Sequence, residues 1–235
     1  MYKKERLDQI LEVIQKNGFV TVKYLTAYLG YSTATVNRDL NALVQMQKIK
    51  RSYGGAEAVQ SKSTPLLFRY EKLKPVKKRI GREAASFVRN GETVFIDGST
   101  TAQYLGPYLL GKTDLHVITN NLALAAFLSE NGIRVAVLGG EIKEPPYMTD
   151  GQETVEQAMH FKADKAFIST AAVSSSGEVC TGDAYYFLHT VMAQNAKELF
   201  LLIDHEKIDV SLPKILFDFS RVRYVVSDFD FSAEI

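Results

Sequence analysis

The sequence predicts an α/β chain in two parts: a small helical head carrying a β-hairpin, then a larger body built on a mainly parallel sheet. Three observations predict it. Two short amphipathic stretches meet at a glycine between residues 21 and 44. From residue 77 onward, short apolar runs alternate with helical stretches. Charge divides the same way: residues 1–82 hold 17 Lys and Arg against 6 Asp and Glu, a balance of +11, and residues 83–235 hold 11 against 21, a balance of −10. A basic front and an acidic rear fit one part drawn to a polyanion and another that is not.

In the head, Leu7, Ile10, Leu11 and Ile14 share one helical face over residues 3–17, and Asn17-Gly18 stops them. Thr21 caps a second helix whose apolar positions are Val22, Leu25 and Leu29, and Gly30 ends it. Ser32 or Thr33 then caps a third, with Val36, Leu40, Leu43 and Val44 on one side. Two short helices across a glycine turn form a helix-turn-helix. Gln47 to Val59 reads as two strands around Gly54-Gly55, a small wing.

The outer face of the third helix carries the chemistry. Arg38 lies opposite the apolar stripe, with Ala34 and Asn41 beside it and Thr33, Thr35 and Asn37 to one side. Arg pairs with guanine, Asn with adenine, and Ala or Thr packs on a thymine methyl. Lys48, Lys50 and Arg51 bring charge to where phosphates lie. Any surface helix has a polar outer face; here caps, stripe, turn and basic wing agree in order, which favours duplex DNA as the partner.

Residues 1–59 are thus expected to form the DNA-binding domain, 60–76 a linker and 77–235 the body. Gln60 to Pro65 is polar and ends in proline, a hinge; Leu66 to Arg79 is a basic connector that docks on its neighbours. In the body, apolar runs at Thr93–Ile96, Leu115–Ile118, Arg134–Leu138, Ala166–Ile168, Leu199–Ile203 and Tyr224–Val226 are strands. Helices are expected over Thr100–Leu110, Leu122–Glu130, Val155–Phe161 and Ala184–Lys197. Such a sheet is covered on both faces, and its ligand site lies beyond the carboxyl ends of the strands. Small polar residues gather there: Asp97-Gly98-Ser99-Thr100-Thr101, Thr119-Asn120-Asn121, Gly139-Gly140-Glu141 and Asp204 to Lys207. Glycines admit backbone amides to an anion, hydroxyls donate, a helix N-terminus adds partial charge and Lys207 a full one. Taken singly, these are also ordinary caps and turns; together they suit a phosphate or carboxylate of a small metabolite.

Cys180 is the only cysteine, so no internal disulfide is possible and a reducing compartment follows. The four histidines show no ligand spacing with it, and no metal or cofactor is expected. The first ten residues are charged and helical, unlike a leader, and no apolar run reaches the ~18 residues of a membrane span. The expected location is the cytoplasm.

The segments Ser32–Leu40 and Lys50–Ala56, with the glycine-containing motifs of the body, resemble the DeoR (deoxyribose-operon regulator) family of bacterial transcription factors along nearly the whole chain. The resemblance implies a winged helix joined to a sensor related in fold to ribose-5-phosphate isomerase, a phosphorylated sugar as effector, a homo-oligomer, and repression of a carbohydrate operon. Asn37 stands where the family commonly has Arg. Ser169 to Val173 stands where related isomerases carry acidic catalytic residues, which leaves no general base there and favours a sensor over an enzyme. The segment Ser174 to Asp183 has two equal readings: one that brings Thr181 and Asp183 to the ligand, and one of a plain loop. The rival reading is an isomerase-like enzyme with a DNA-binding appendage.

Overall fold

In the structure, a computed structural model, residues 3–17, 19–46, 48–52, 54–58, 72–143, 148–181 and 187–229 are described. The hinge at 60–65, the connector up to residue 71, and Asp183 lie outside them. The chain divides into two compact units, Met1–Leu73 and Lys74–Ile235.

The first unit contains α1 (Lys3–Asn17), β1 (Phe19–Thr21), α2 (Val22–Leu29), α3 (Thr33–Gln45), β2 (Ile49–Ser52) and β3 (Gly55–Ala58). The Thr21 hydroxyl accepts from the Tyr24 amide at 3.0 Å, and Gly30 closes α2 in the left-handed region at φ 71° while its amide donates to the Thr26 carbonyl. Leu7, Ile10 and Ile14 of α1 meet Leu25, Val36, Leu40 and Leu43 in one buried cluster. The expected hairpin is a three-stranded antiparallel sheet, because β1 adds to β3. Gly54 makes the turn at φ 72°; Gly55 belongs to the strand, where a methyl would lie 2.2 Å from the Val20 carbonyl oxygen. Its role is therefore close approach of strands rather than turning.

In the second unit, α4 (Lys74–Ser86) leads to β4 (Thr93–Ile96), then α5 (Gly106–Leu109), β5 (His116–Thr119), α6 (Leu122–Glu130), β6 (Arg134–Val137), β7 (Glu141–Lys143) and β8 (Met148–Asp150). Next come α7 (Gln152–Met159), β9 (Ala163–Ile168), β10 (Ala172–Val173), β11 (Glu178–Thr181), α8 (Phe187–Gln194), β12 (Ala196–Ile203), β13 (Lys214–Asp218) and β14 (Tyr224–Ser227). Six strands form a parallel sheet in the order β14-β12-β9-β4-β5-β6. Successive residues face opposite ways. Val94, Ile96, Phe167 and Phe200 pack under α4, α5 and α6; Phe95, Ile118, Ala166 and Ile168 pack under α7 and α8.

Three expectations are corrected. The stretch after Thr100 is a 3-10 turn, Ala102–Leu105, followed by the single turn of α5, so no long helix points its N-terminus at Asp97–Thr101. Glycine and proline at the start of α5 account for the break. Residues 178–181 are strand β11 rather than loop, in an antiparallel sheet β10-β11-β13 whose Val173, Val179 and Leu216 pack on Leu201 and Ile203. Within the stretch expected to be helical to Lys197, α8 ends at Gln194 and β12 begins at Ala196.

Gly81 of α4 sits against the 3-10 turn, where a methyl would lie 2.5 Å from the Tyr104 carbonyl carbon. Gly81→Ala gains up to ~1 kcal/mol of helix propensity, but overpacking against backbone costs about 1–3 kcal/mol. The expected result is a lower urea midpoint for unfolding of the second unit; a raised midpoint would show that α4 shifts freely.

Candidate nucleic-acid interface and ligand site

On α3, the Ser32 hydroxyl accepts from the Thr35 amide at 3.3 Å and lies 3.0 Å from the Thr35 hydroxyl, so Thr35 is tied into the cap. Val36, Asp39, Leu40 and Leu43 are buried, which turns Thr33, Ala34, Arg38 and Asn41 to solvent. Lys48, Lys50 and Arg51 are exposed beside β2. The structure joins two of the expected contacts: the Arg51 guanidinium donates to Asn37 Oδ1 at 2.9 Å, linking wing to helix. Asp39, next to Arg38, is 1% exposed and accepts a two-pronged ion pair from Arg6 of α1, with Nη2 to Oδ1 at 3.0 Å. Arg6 in turn lies over the Tyr31 ring, 5.3 Å from its centre. Pairing compensates the burial of that carboxylate and fixes α3 on α1, so that Arg38 faces outward.

The body's polar residues gather at the topological switch point. From β4 the chain proceeds outward to β5 and β6, then returns to β9 on the other side of β4. Ligands enter such sheets between those two strands. Asp97, at the end of β4, is fully buried. Its carboxyl group accepts from the Ser99 hydroxyl at 2.6 Å, the Ser99 amide at 3.3 Å and the Ser169 amide, at the end of β9, at 3.2 Å; His189 Nε2 of α8 lies 3.1 Å away. Lys207 donates to the Ser169 hydroxyl at 3.2 Å and lies 3.5 Å from Asp204, at the end of β12. On the other side, Gly98 lets the Asn120 amide approach: a methyl there would lie 2.9 Å from Asn120 Nδ2. Asp204, Ser169, Asp97 and Asn120 therefore form a row across four adjacent strands.

Two residues that touch this row, Lys77 and His189, escaped the sequence reading. Lys77 is 4% exposed and donates to the Thr100 hydroxyl at 3.0 Å. A signal was present, since Lys77 occupies the buried stripe of α4 with Ile80, Gly81 and Ala84, where a lysine is costly without a polar partner. His189 carried no such signal, and Ser169 was read only for the general base it lacks. Among the buried polar atoms left without a hydrogen-bond partner in the described residues are Thr101 Oγ1, Asn120 Oδ1 and Asn121 Nδ2. Native proteins leave few such groups, and unexplained ones mark strain or a binding role.

Other expected residues have local duties. Asn121 caps α6 by accepting from the Leu124 amide at 2.9 Å, and the Thr119 hydroxyl accepts from the Asn121 amide at 3.0 Å. The expectation that Gly139 offers its amide to an anion is corrected, because that amide donates to Gln157 Oε1 at 2.8 Å. Gly140, at φ 142°, leaves room for Thr154, whose hydroxyl would lie 2.1 Å from an added methyl. Glu141 is exposed on β7, and Thr181 is buried on β11 opposite Lys214.

No helix among the described residues is long and apolar enough to cross a membrane. Residues 6–62 match the family model of the DeoR-like helix-turn-helix domain, and residues 74–229 that of the DeoR C terminal sensor domain. The HTH-type transcriptional repressor GlcR of Bacillus subtilis (strain 168) is 32% identical over 211 residues, 88% of this chain and 81% of that protein. The glycerol-3-phosphate regulon repressor of Escherichia coli (strain K12) is 30% identical over 88% of this chain and 83% of its own length. The lactose phosphotransferase system repressor of Lactococcus lactis subsp. lactis is 32% identical over 89% and 84%. Among solved structures, eIF2B delta from Chaetomium thermophilum superposes with a TM-score of 0.50 over 70% of this chain and 60% of that one at 16% identity, a likeness of fold alone. Ribose 5-phosphate isomerase A from Methanocaldococcus jannaschii gives 0.44 over 58% and 55%, also at 16% identity.

His205, beside the row, forms a hydrogen bond through Nδ1 to Asp228 Oδ2 at 2.6 Å, and its amide donates to Oδ1 at 2.9 Å. That hydrogen bond, more than the surrounding carboxylates, holds the imidazole above its ordinary value of 6.5, against a smaller opposing effect of burial. A raised folded-state value means that the pair's stabilisation is present below pH 6.5 and is lost as pH rises through the folded value. An NMR titration of His205 is expected to give a midpoint above 6.5 that falls in Asp228→Asn. The parent's stability advantage over that variant should be largest near pH 6 and shrink toward pH 9; an unmoved midpoint would remove the assignment.

Proposed function

Because the chain belongs to the DeoR family of transcriptional regulators, we propose that it represses a carbohydrate-metabolism operon and that a phosphorylated sugar or related small anion sets its affinity for DNA. The head supplies the reading surface. Arg38, Asn41, Ala34 and Thr33 meet base edges in the major groove, while Lys48, Lys50 and Arg51 hold phosphates and Asn37 positions Arg51. Two copies acting together read two half-sites spaced by whole helical turns.

One observation carries the effector assignment: two lysines, Lys77 and Lys207, reach the switch point, each donating to a hydroxyl there, Thr100 and Ser169. A doubly charged phosphate supplies the acceptors that lysines and hydroxyls take. The sugar's hydroxyls suit Thr101 Oγ1, Asn120 Oδ1 and Asn121 Nδ2, buried atoms that otherwise have no hydrogen-bond partner among the described residues. Lys77 also offers the route of coupling. It stands on α4, the first helix of the second unit and the one that begins directly after Leu73. Drawing Lys77 from Thr100 to a phosphate is the step that would shift α4. Coupling of this kind typically amounts to about 1–3 kcal/mol, a 5- to 150-fold change in affinity.

Arg38→Ala is expected to cost about 1–3 kcal/mol of specific binding and to relax base preference. Lys50→Ala should weaken all sequences alike and flatten the salt dependence. Band-shift titrations on the protein's own promoter at several salt concentrations distinguish the two; equal salt slopes and unchanged preference in both variants would count against these roles.

For the effector, Lys77→Ala and Thr100→Val are expected to retain DNA binding and lose the response to sugar phosphate. Calorimetry in which both bind a panel of aldose and ketose phosphates as tightly as the parent would sink the site. Assaying the same mixtures for turnover tests the isomerase alternative directly.

A further inference from the structure

A cavity of about 310 Å³ opens at the amino ends of β5 and β6, the end of the sheet opposite the Asp97 row. Its polar walls are Lys112, His116, Arg134 and one carboxylate, Asp114; Leu115 and Ile133 form its buried apolar floor. His116 and Arg134 are directly paired across the two parallel strands, so an imidazole and a guanidinium stand side by side. Neither Lys112 nor Arg134 forms an ion pair among the described residues. The unit around them is acidic overall: residues 74–235 carry 16 Lys and Arg against 21 Asp and Glu, a balance of −5. Three basic groups converging on one concavity therefore oppose the local trend.

The cavity walls are fixed in advance. In the loop before β5, the Gly91 amide donates to the Thr113 carbonyl at 2.9 Å and the Thr113 amide to Asn90 Oδ1 at 3.2 Å. Asp114 is held at φ 54°, a region few side chains other than Asn and Asp enter readily. In the loop before β6, the Ile133 amide donates to the Leu128 carbonyl at 3.0 Å and the Asn131 side chain to the Phe127 carbonyl at 2.8 Å. A preformed basic concavity binds an anion with little ordering cost.

We propose that this cavity is a second anion site, distinct from the carboxyl-end site, that takes a small phosphate-class anion between Lys112, His116 and Arg134. The guanidinium grips two oxygens, Lys112 contributes a point charge, and His116 completes the cage once protonated. Burial, and then the charge of Arg134, hold the His116 imidazole below its ordinary value; a bound dianion reverses the second effect.

The test is an NMR titration of the full chain with inorganic phosphate, following the His116 ring protons across pH. The expected result is a rise in the His116 midpoint of about 1 unit at saturation. Arg134→Ala and, separately, Lys112→Ala should weaken phosphate binding at least about tenfold; both residues lie at the surface, so the variants retain the fold. Lys77→Ala, altered at the opposite end of the sheet, should keep the His116 response, which separates this proposal from the effector assignment. Sodium chloride at equal ionic strength, or duplex DNA of scrambled sequence, should leave His116 unmoved. A His116 midpoint that ignores phosphate, follows chloride equally, moves only with DNA, or survives Arg134→Ala would overturn the proposal.

Discussion

The buried carboxyl group of Asp97 is the constraint from which the body's site is built. A carboxyl group with no exposure needs donors, because transferring it from water without them costs several kcal/mol. Those donors come from Ser99 on its own loop and from Ser169 at the end of the neighbouring strand, with His189 of α8 alongside. Satisfying one group thus fixes the loops after β4 and β9 and the start of α8 at the place where the strand order reverses. Lys207 is positioned through Ser169, and Gly98 brings Asn120 to the other side. The row of polar ends is rigid because its members share partners.

The head uses a similar device. Asp39 lies beside Arg38 on α3, yet the two have opposite fates. Asp39 turns inward to Arg6, while Arg38 turns out to solvent. The buried pair locks α3 against α1, and this fixes the orientation of the exposed face. Arg51 and Asn37 make a second brace, between wing and helix, with their polar groups still at the surface. Reading surface and support are thereby carried by alternate residues of one helix, as a 3.6-residue repeat requires.

Much of this was legible in the chain. Thr21, Gly30 and Ser32 announced their caps, because capping is local chemistry between residues three or four apart. The apolar runs at Thr93–Ile96 and Ala166–Ile168 identified buried parallel strands, since only a sheet covered on both faces tolerates them. The 3-10 turn at Ala102–Leu105 was missed although Gly106-Pro107 marks the break in the chain itself; the packing of Gly81 against Tyr104 adds a tertiary contact that no periodicity reports. Gly139 looked like an anion loop; its amide serves Gln157, eighteen residues away.

What the sequence determined alone is everything that depends on near neighbours: the helices and caps of the head, the alternation of strands and helices in the body, and the division of charge between them. Only the tertiary structure decided which distant groups meet. His189 and Asp97 are 92 positions apart, Lys77 and Thr100 are 23 apart, and the cavity at the amino ends unites two loops that no motif connects. The physical reason is that hydrogen-bonded periodicity is written over a few residues, whereas charge compensation in a folded core is satisfied by whichever group the strand order brings within about 3 Å.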